Sequence, residues 1–176
     1  MRAGGYPVAI IPGMPARTPE ITVAAIAEAD GRFLVVEERI NQRLVFNQPA
    51  GHVENGESLL TAVVREAREE TAWRFEPESL IGVYLWRSPD SGVTTMRFAF
   101  SGTVDDHQAA QPLDYGIIGT HWLSRADLQE REQQLRSPLV MRCIEDYLDG
   151  KRQPLVSVAH LDLLTAHAIP AVAVGL

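Results

Sequence analysis

Between Gly51 and Glu70 the chain concentrates acid and base at fixed spacing: Gly51-His-Val-Glu-Asn-Gly-Glu57, seven further residues, then Arg65-Glu66-Ala67-Arg68-Glu69-Glu70. On a helix turning about 100° per residue, Glu69 and Glu70 fall at about 300° and 40° from Glu66, so three carboxylates share an arc of about 100°. Each like-charged pair at i, i+3 or i+4 costs roughly a few tenths of a kcal/mol in an isolated helix, and such a ridge calls for positive charge. Carboxylate oxygens are hard donors suited to Mg²⁺ or Mn²⁺, ions commonly shared between carboxylates, waters and phosphate oxygens. The alternative is a solvated acidic face balanced by Arg65 and Arg68.

The elements that must position these residues read as follows. Ser58 can accept a hydrogen bond from the first free amides of a helix running to about Thr71. Leu60, Val63, Val64 and Ala67 form an apolar stripe at roughly 60° to 160° that docks this helix on a sheet. Residues 21–29 and 32–39 are strand-like runs joined by Asp30-Gly31, a two-residue hairpin signal. A loop holding Asn41, Asn47, Pro49 and Gly51 follows. Residues 79–87 and 94–104 read as strands around the turn Pro89-Asp90-Ser91-Gly92. A short strand at 121–123, a helix from about Ala126 and another over 138–149 complete a mixed α/β domain.

Composition narrows the functional classes. With 176 residues, 45% hydrophobic and 22% charged, the chain fits one soluble domain. Its net charge of −7 disfavours non-specific attraction to nucleic acid or an anionic membrane. A phosphate-bearing partner must then be met by a local device such as a metal. Lys151 is the single lysine and precedes Arg152, so no Walker-type phosphate loop is present. One cysteine, Cys143, forms no internal disulfide; beside Ile144 on the last helix it reads as packing. Residues 1–19, with Pro7, Pro12, Pro15 and Pro19, read as a flexible arm. Residues 156–176 read as an apolar tail that packs on the domain or on a second subunit, leaving monomer or homodimer open. No stretch reaches the roughly 20 apolar residues needed to span a bilayer, and the protein reads as cytoplasmic.

The segment 51–73 resembles the Nudix hydrolase box, Gly-x5-Glu-x7-Arg-Glu-U-x-Glu-Glu-x-Gly-U, where U is aliphatic. Gly51, Glu57, Arg65, Glu66, Glu69 and Glu70 match six of its seven fixed letters, a coincidence of roughly 10⁻⁷ per start position at ordinary residue frequencies. Ala67, Ala72 and Trp73 depart from the pattern. Ala72 replaces a glycine and changes how the helix ends at a cost of about 1 kcal/mol. Phe33-Leu-Val-Val-Glu-Glu38, Asn47-Gln-Pro-Ala-Gly-His52, Arg97-Phe-Ala-Phe100 and Leu135-Arg-Ser-Pro-Leu-Val140 are similar to the NudJ-type phosphatases within that superfamily.

The resemblance implies a Nudix α/β/α sandwich over residues 20–155 with a mixed β-sheet, and Mg²⁺-dependent release of orthophosphate. The implied substrates are nucleoside tri- and diphosphates or thiamine-related pyrimidine diphosphates. Pyrophosphate release and non-catalytic nucleotide sensing are the alternatives. Glu66, Glu69 and Glu70 would ligate metal with the carbonyl of Ala50. Glu57 would pair with Arg65, fixing loop to helix beside Gly51. Glu66 is the first choice for the group that collects the proton, with Asp114 either the alternative base or a turn residue. Arg97 either reaches a terminal phosphate or forms a surface ion pair, and His52 either touches phosphate or orders the loop. Phe46, Tyr84 and Trp86 either stack a base or fill the core.

Overall fold

The structure, a computed structural model, describes residues 18–161. Strand β1 (Glu20–Ala29) carries the apolar run Val23-Ala-Ala-Ile-Ala27, buried on both faces as expected of a central strand. Asp30 and Gly31 take positive φ (52° and 75°) and turn the chain into β2 (Arg32–Ile40). Beyond them follow β3 (Arg43–Asn47), β4 (Ala50–His52), helix α1 (Leu59–Thr71), β5 (Arg74–Arg87), β6 (Thr94–Asp105), β7 (Ile117–Ser124), α2 (Arg125–Glu130) and α3 (Leu139–Leu148).

The seven strands run β3-β2-β1-β6-β5, with β4 paired to β1 and β7 to β2. β1 and β6 are parallel and the other pairs antiparallel, so the sheet is mixed as expected. Alternation along β1 divides the core in two. Val23, Ala25 and Ala27 meet Ala62, Val63 and Ala67 of α1, while Ala24 and Ile26 meet Leu128, Val140, Cys143 and Ile144 of α2 and α3. Helices therefore cover both faces. Alanines at the contacts let α1 lie close to β1.

Three expectations are corrected. The expected loop around Asn41 to Gly51 contains two strands: Asn41 and Gln42 both adopt positive φ (48° and 66°) and close a β2–β3 hairpin without glycine. β5 begins at Arg74 rather than 79, passing through Pro77 at a register shift; Pro77 is tolerated because β5 is an edge strand. β7 starts at Ile117, four residues before the expected run, because its pairing with β2 extends to Glu38. Residues 1–17 of the expected arm and 162–176 of the expected tail lie outside the described residues. Within them, Leu155 and Val158 pack against the α1-side core, while Val156 and Leu161 are exposed. Among the described residues no helix is long and apolar enough to cross a membrane.

Candidate active site

Helix α1 starts as read from sequence. Ser58 accepts a hydrogen bond from the Thr61 amide at 3.0 Å, and Ala62, Val63 and Ala67 are buried against the sheet. That docking turns Glu66 and Glu70 toward β4. A Cβ on Gly51 would fall 2.2 Å from the Glu66 carboxyl carbon and both its oxygens, so only glycine lets the strand lie against this carboxylate. Glu70 Oε2 accepts from the Ala50 amide at 2.8 Å, on the edge of β4 that no strand covers.

Arg65 binds the acidic groups together. Its Nε and Nη2 donate to the two oxygens of Glu57 at 3.1 and 2.6 Å. Nη1 donates to Glu66 at 2.8 Å and Glu69 at 3.0 Å, and Nη2 also reaches the His52 carbonyl at 3.0 Å. The expected Glu57–Arg65 pair is therefore present, and through His52 it clamps the β4 loop to the helix. Glu57 also accepts from the Glu54 amide. Its hydrogen bond to Arg65 holds its carboxyl below the ordinary range.

The three-carboxylate ridge is divided. Glu66 and Glu70 are buried, whereas the Glu69 side chain is 47% exposed and turned to Arg65. Burial raises Glu66, only partly offset by Arg65. Burial pushes Glu70 up to about 8, against the Ala50 amide and with the added repulsion of Glu38, Glu66 and Asp114. As the side chains stand, no three acidic, histidine or cysteine groups among the described residues converge on one point. Arg65 lies between Glu57, Glu66 and Glu69.

The remaining candidates separate. Asp114 is exposed; its amide donates to the Glu69 carbonyl at 3.0 Å, so the turn is tied to α1 beside the buried acids. His52 points to Glu20 at 3.2 Å on the sheet edge. The surface ion pair envisaged for Arg97 is absent. Arg97 is 6% exposed, and its Nη1 makes long contacts to Asn47 Oδ1 and Gln48 Oε1 at 3.4 and 3.3 Å, because β6 is covered on both sides. Its burial lowers its pKa. Trp86 and Arg97 line a cavity of about 840 Å³ that reaches Ala50, Gly51 and His52. Phe46 is not among the residues lining it and packs edge-on against His121, with ring centroids 5.7 Å apart. Tyr84 donates to Asp146 at 2.9 Å and belongs to the α3-side core. Cys143 is fully buried, and burial pushes its thiol up to about 11, consistent with packing.

Sequence reading assigned no role to Thr22, Glu38 or Gln48. Thr22 and Glu38 line the cavity; Gln48 is 1% exposed and donates to the Val140 carbonyl at 2.7 Å, holding the β3–β4 connection against α3. The only available signal was a polar residue within an apolar strand pattern or beside Pro49.

The NUDIX domain family profile matches residues 16–143. Phosphatase NudJ of Escherichia coli K12 is 40% identical over 137 residues, covering 78% of this chain and 88% of that protein, and the Shigella flexneri NudJ matches equally. A NUDIX hydrolase from Nitrosomonas europaea superposes with a TM-score of 0.80 at 43% identity, covering 82% of this chain and 98% of the other. A match of this length, on a shared fold and with Glu66 of the box buried against Gly51, makes this chain a member of the Nudix family and a hydrolase of phosphoanhydride bonds.

Proposed function

We propose that the protein is a Mg²⁺-dependent cytoplasmic phosphatase that releases orthophosphate from nucleoside tri- or diphosphates or from thiamine-related pyrimidine diphosphates. The observation that carries this reading is the pair of buried carboxylates, Glu66 and Glu70, at the open edge of β4 beside a cavity of about 840 Å³. Two buried acids whose ionised forms repel each other are stabilised by a divalent cation, and their oxygens are the donors Mg²⁺ or Mn²⁺ takes. The residues present therefore fit the metal. Glu66 and Glu70 would hold it with the Ala50 carbonyl, and Glu69 would join on leaving Arg65. When bound, the cation neutralises phosphate oxygens and lowers the pKa of an attacking water.

The chain's own groups supply the rest. Arg65 orients Glu66 and fixes the β4 loop. Gly51 gives Glu66 its place. Glu66 takes the proton, with Asp114, on the turn tied to the Glu69 carbonyl, the alternative acceptor. Similarity to NudJ supports orthophosphate as the product.

The test is a panel of nucleotides and thiamine-related diphosphates with and without Mg²⁺, with products identified. Orthophosphate formed only with the cation is expected. Pyrophosphate as the product would overturn the phosphatase reading, and folded protein that turns over nothing would overturn hydrolysis of these substrates. Asp114→Asn that loses activity while Mg²⁺ affinity is unchanged assigns the base to Asp114, and Asp114→Asn that retains activity excludes Asp114 as the base.

A further inference from the structure

Three sites in the chain place glycine directly after aspartate or asparagine: Asp30-Gly31, Asn55-Gly56 and Asp149-Gly150. With no Cβ in the way, a glycine amide nitrogen can attack the preceding side-chain carbonyl and close a five-membered imide, provided that nitrogen is free. The fold ties down two of the three. The Gly31 amide donates to Glu28 Oε1 at 2.6 Å, and the Gly150 amide to the Tyr147 carbonyl at 3.0 Å. Among the described residues, neither the Gly56 amide nor the Asn55 side chain has a hydrogen-bond partner, and both residues are exposed.

The local geometry leaves room for the reaction. Gly56 holds φ 88° with open space where a Cβ would stand, so no neighbour crowds the ring. Residues 54–57 make a turn whose closing bond, from the Glu57 amide to the Glu54 carbonyl, is long at 3.4 Å, so turning Asn55 toward Gly56 costs little. The other two asparagines of the chain lack this setting. Asn41 and Asn47 are each followed by glutamine, and Asn47 is buried.

We propose that Asn55 is a site of spontaneous covalent modification, whose conversion to aspartyl and isoaspartyl residues unfastens Arg65 from the loop before α1. The Gly56 nitrogen bonds to Asn55 Cγ and gives up its proton, while the Cγ–Nδ2 bond breaks and that nitrogen leaves as ammonia. Water then opens the imide at one carbonyl or the other, giving aspartate or β-linked isoaspartate. Either product puts a negative charge between Glu54 and Glu57, and isoaspartate also lengthens the main chain by one carbon. The segment it lengthens is held by the Glu54 amide on Glu57 Oε1 at 2.7 Å, and the same oxygen takes the 2.6 Å bond from Arg65 Nη2. Displacing Glu57 therefore opens its pair with Arg65. The inference needs neither metal nor substrate and stands apart from the phosphatase reading.

The experiment holds the full chain at pH 8.5 without metal, once folded and once unfolded in guanidinium chloride, and follows mass and fragmentation with time. Replacing the side-chain NH₂ by OH adds about 1 Da, and the fragments place the gain and separate isoaspartate from aspartate. Folded protein should convert at Asn55 within about tenfold of the unfolded rate, and at least about tenfold faster than at Asn41 or Asn47. Asn55→Ser should keep its mass. The NMR signal of the Arg65 Nε–H should move in the converted protein and stay in place in Asn55→Ser held for the same time.

Folded protein that is silent at Asn55 while the unfolded chain converts overturns the proposal, because the turn then guards the site. So does a mass gain placed mainly at Asn41 or Asn47, or an equal gain in Asn55→Ser. An Arg65 signal that stays put once conversion is complete overturns it too. The wild-type chain supplies the rates and the Arg65 signal, so the result does not depend on a variant that folds.

Discussion

A carboxyl held above its ordinary range binds a proton more readily folded than unfolded, and Glu70, pushed up to about 8, is such a group. Its contribution to stability is present while both states are protonated. It is lost as pH rises from the ordinary carboxylate range to about 8, where the unfolded chain has released its proton and the folded chain retains it. Metal-free protein should therefore lose thermal stability over that interval through this group. Mg²⁺ should restore more at pH 8.5 than at pH 6, because it binds the ionised form. Melting curves at the two pH values with and without Mg²⁺ check this; an equal Mg²⁺ shift at both would contradict it. Gly51 offers a second test at the same scale. A methyl group there would occupy space filled by the Glu66 carboxylate, so Gly51→Ala should lower kcat/KM by at least about a hundredfold, since a displacement of about 1 Å at a reacting centre costs that much. Its circular dichroism should stay unchanged, as the Gly51 backbone needs no positive φ.

Helix α1 is the element that converts sequence spacing into a site, and two of its positions show how. At the C-terminus Ala72 adopts φ 60°, with its amide bonded to the Arg68 carbonyl at 2.9 Å, so the helix ends in the left-handed turn that glycine favours even though alanine stands there. Ala72→Gly should relieve the strain and raise unfolding free energy by about 1 kcal/mol, less whatever the buried methyl contributes, as read by urea denaturation. A destabilised variant would mean the methyl's packing outweighs the strain. Midway along the helix Arg65 joins it to the preceding loop and strand through three donated bonds, two to Glu57 and one to the His52 carbonyl, and donates two more to Glu66 and Glu69 of the helix itself. Lysine keeps the charge but not the planar fork, so Arg65→Lys should weaken Mg²⁺ affinity by roughly ten- to a hundredfold in calorimetry. The helix was legible in sequence because a cap, an apolar stripe and a charged face all agreed on one period. β3 and β4 were not: they are short, and Asn41-Gln42 adopts a hairpin conformation ordinarily signalled by glycine.

Across the whole molecule, what the chain keeps local could be read and what it assembles from afar could not. Glu57, Arg65, Glu66 and Glu70 lie within one loop and helix, so their company followed from spacing alone. The ridge itself split, because docking on the sheet buries Glu66 and Glu70 and leaves Glu69 toward solvent. The cavity floor draws Thr22 from β1, Glu38 from β2 and Arg97 from β6, and only strand order brings these together. Arg97 stayed open between a phosphate contact and a surface ion pair for that reason: its own strand does not reveal how deeply the residue is buried.

The central claim is that Glu66 and Glu70 hold a divalent cation beside a phosphoanhydride. Anomalous diffraction from a crystal grown with Mn²⁺ and a non-hydrolysable nucleotide analogue tests it most directly. A manganese peak bonded to both carboxylates and to a phosphate oxygen of the analogue is the expected result. An occupied analogue with no metal at these glutamates, and Arg65 still spanning Glu57, Glu66 and Glu69, would contradict it.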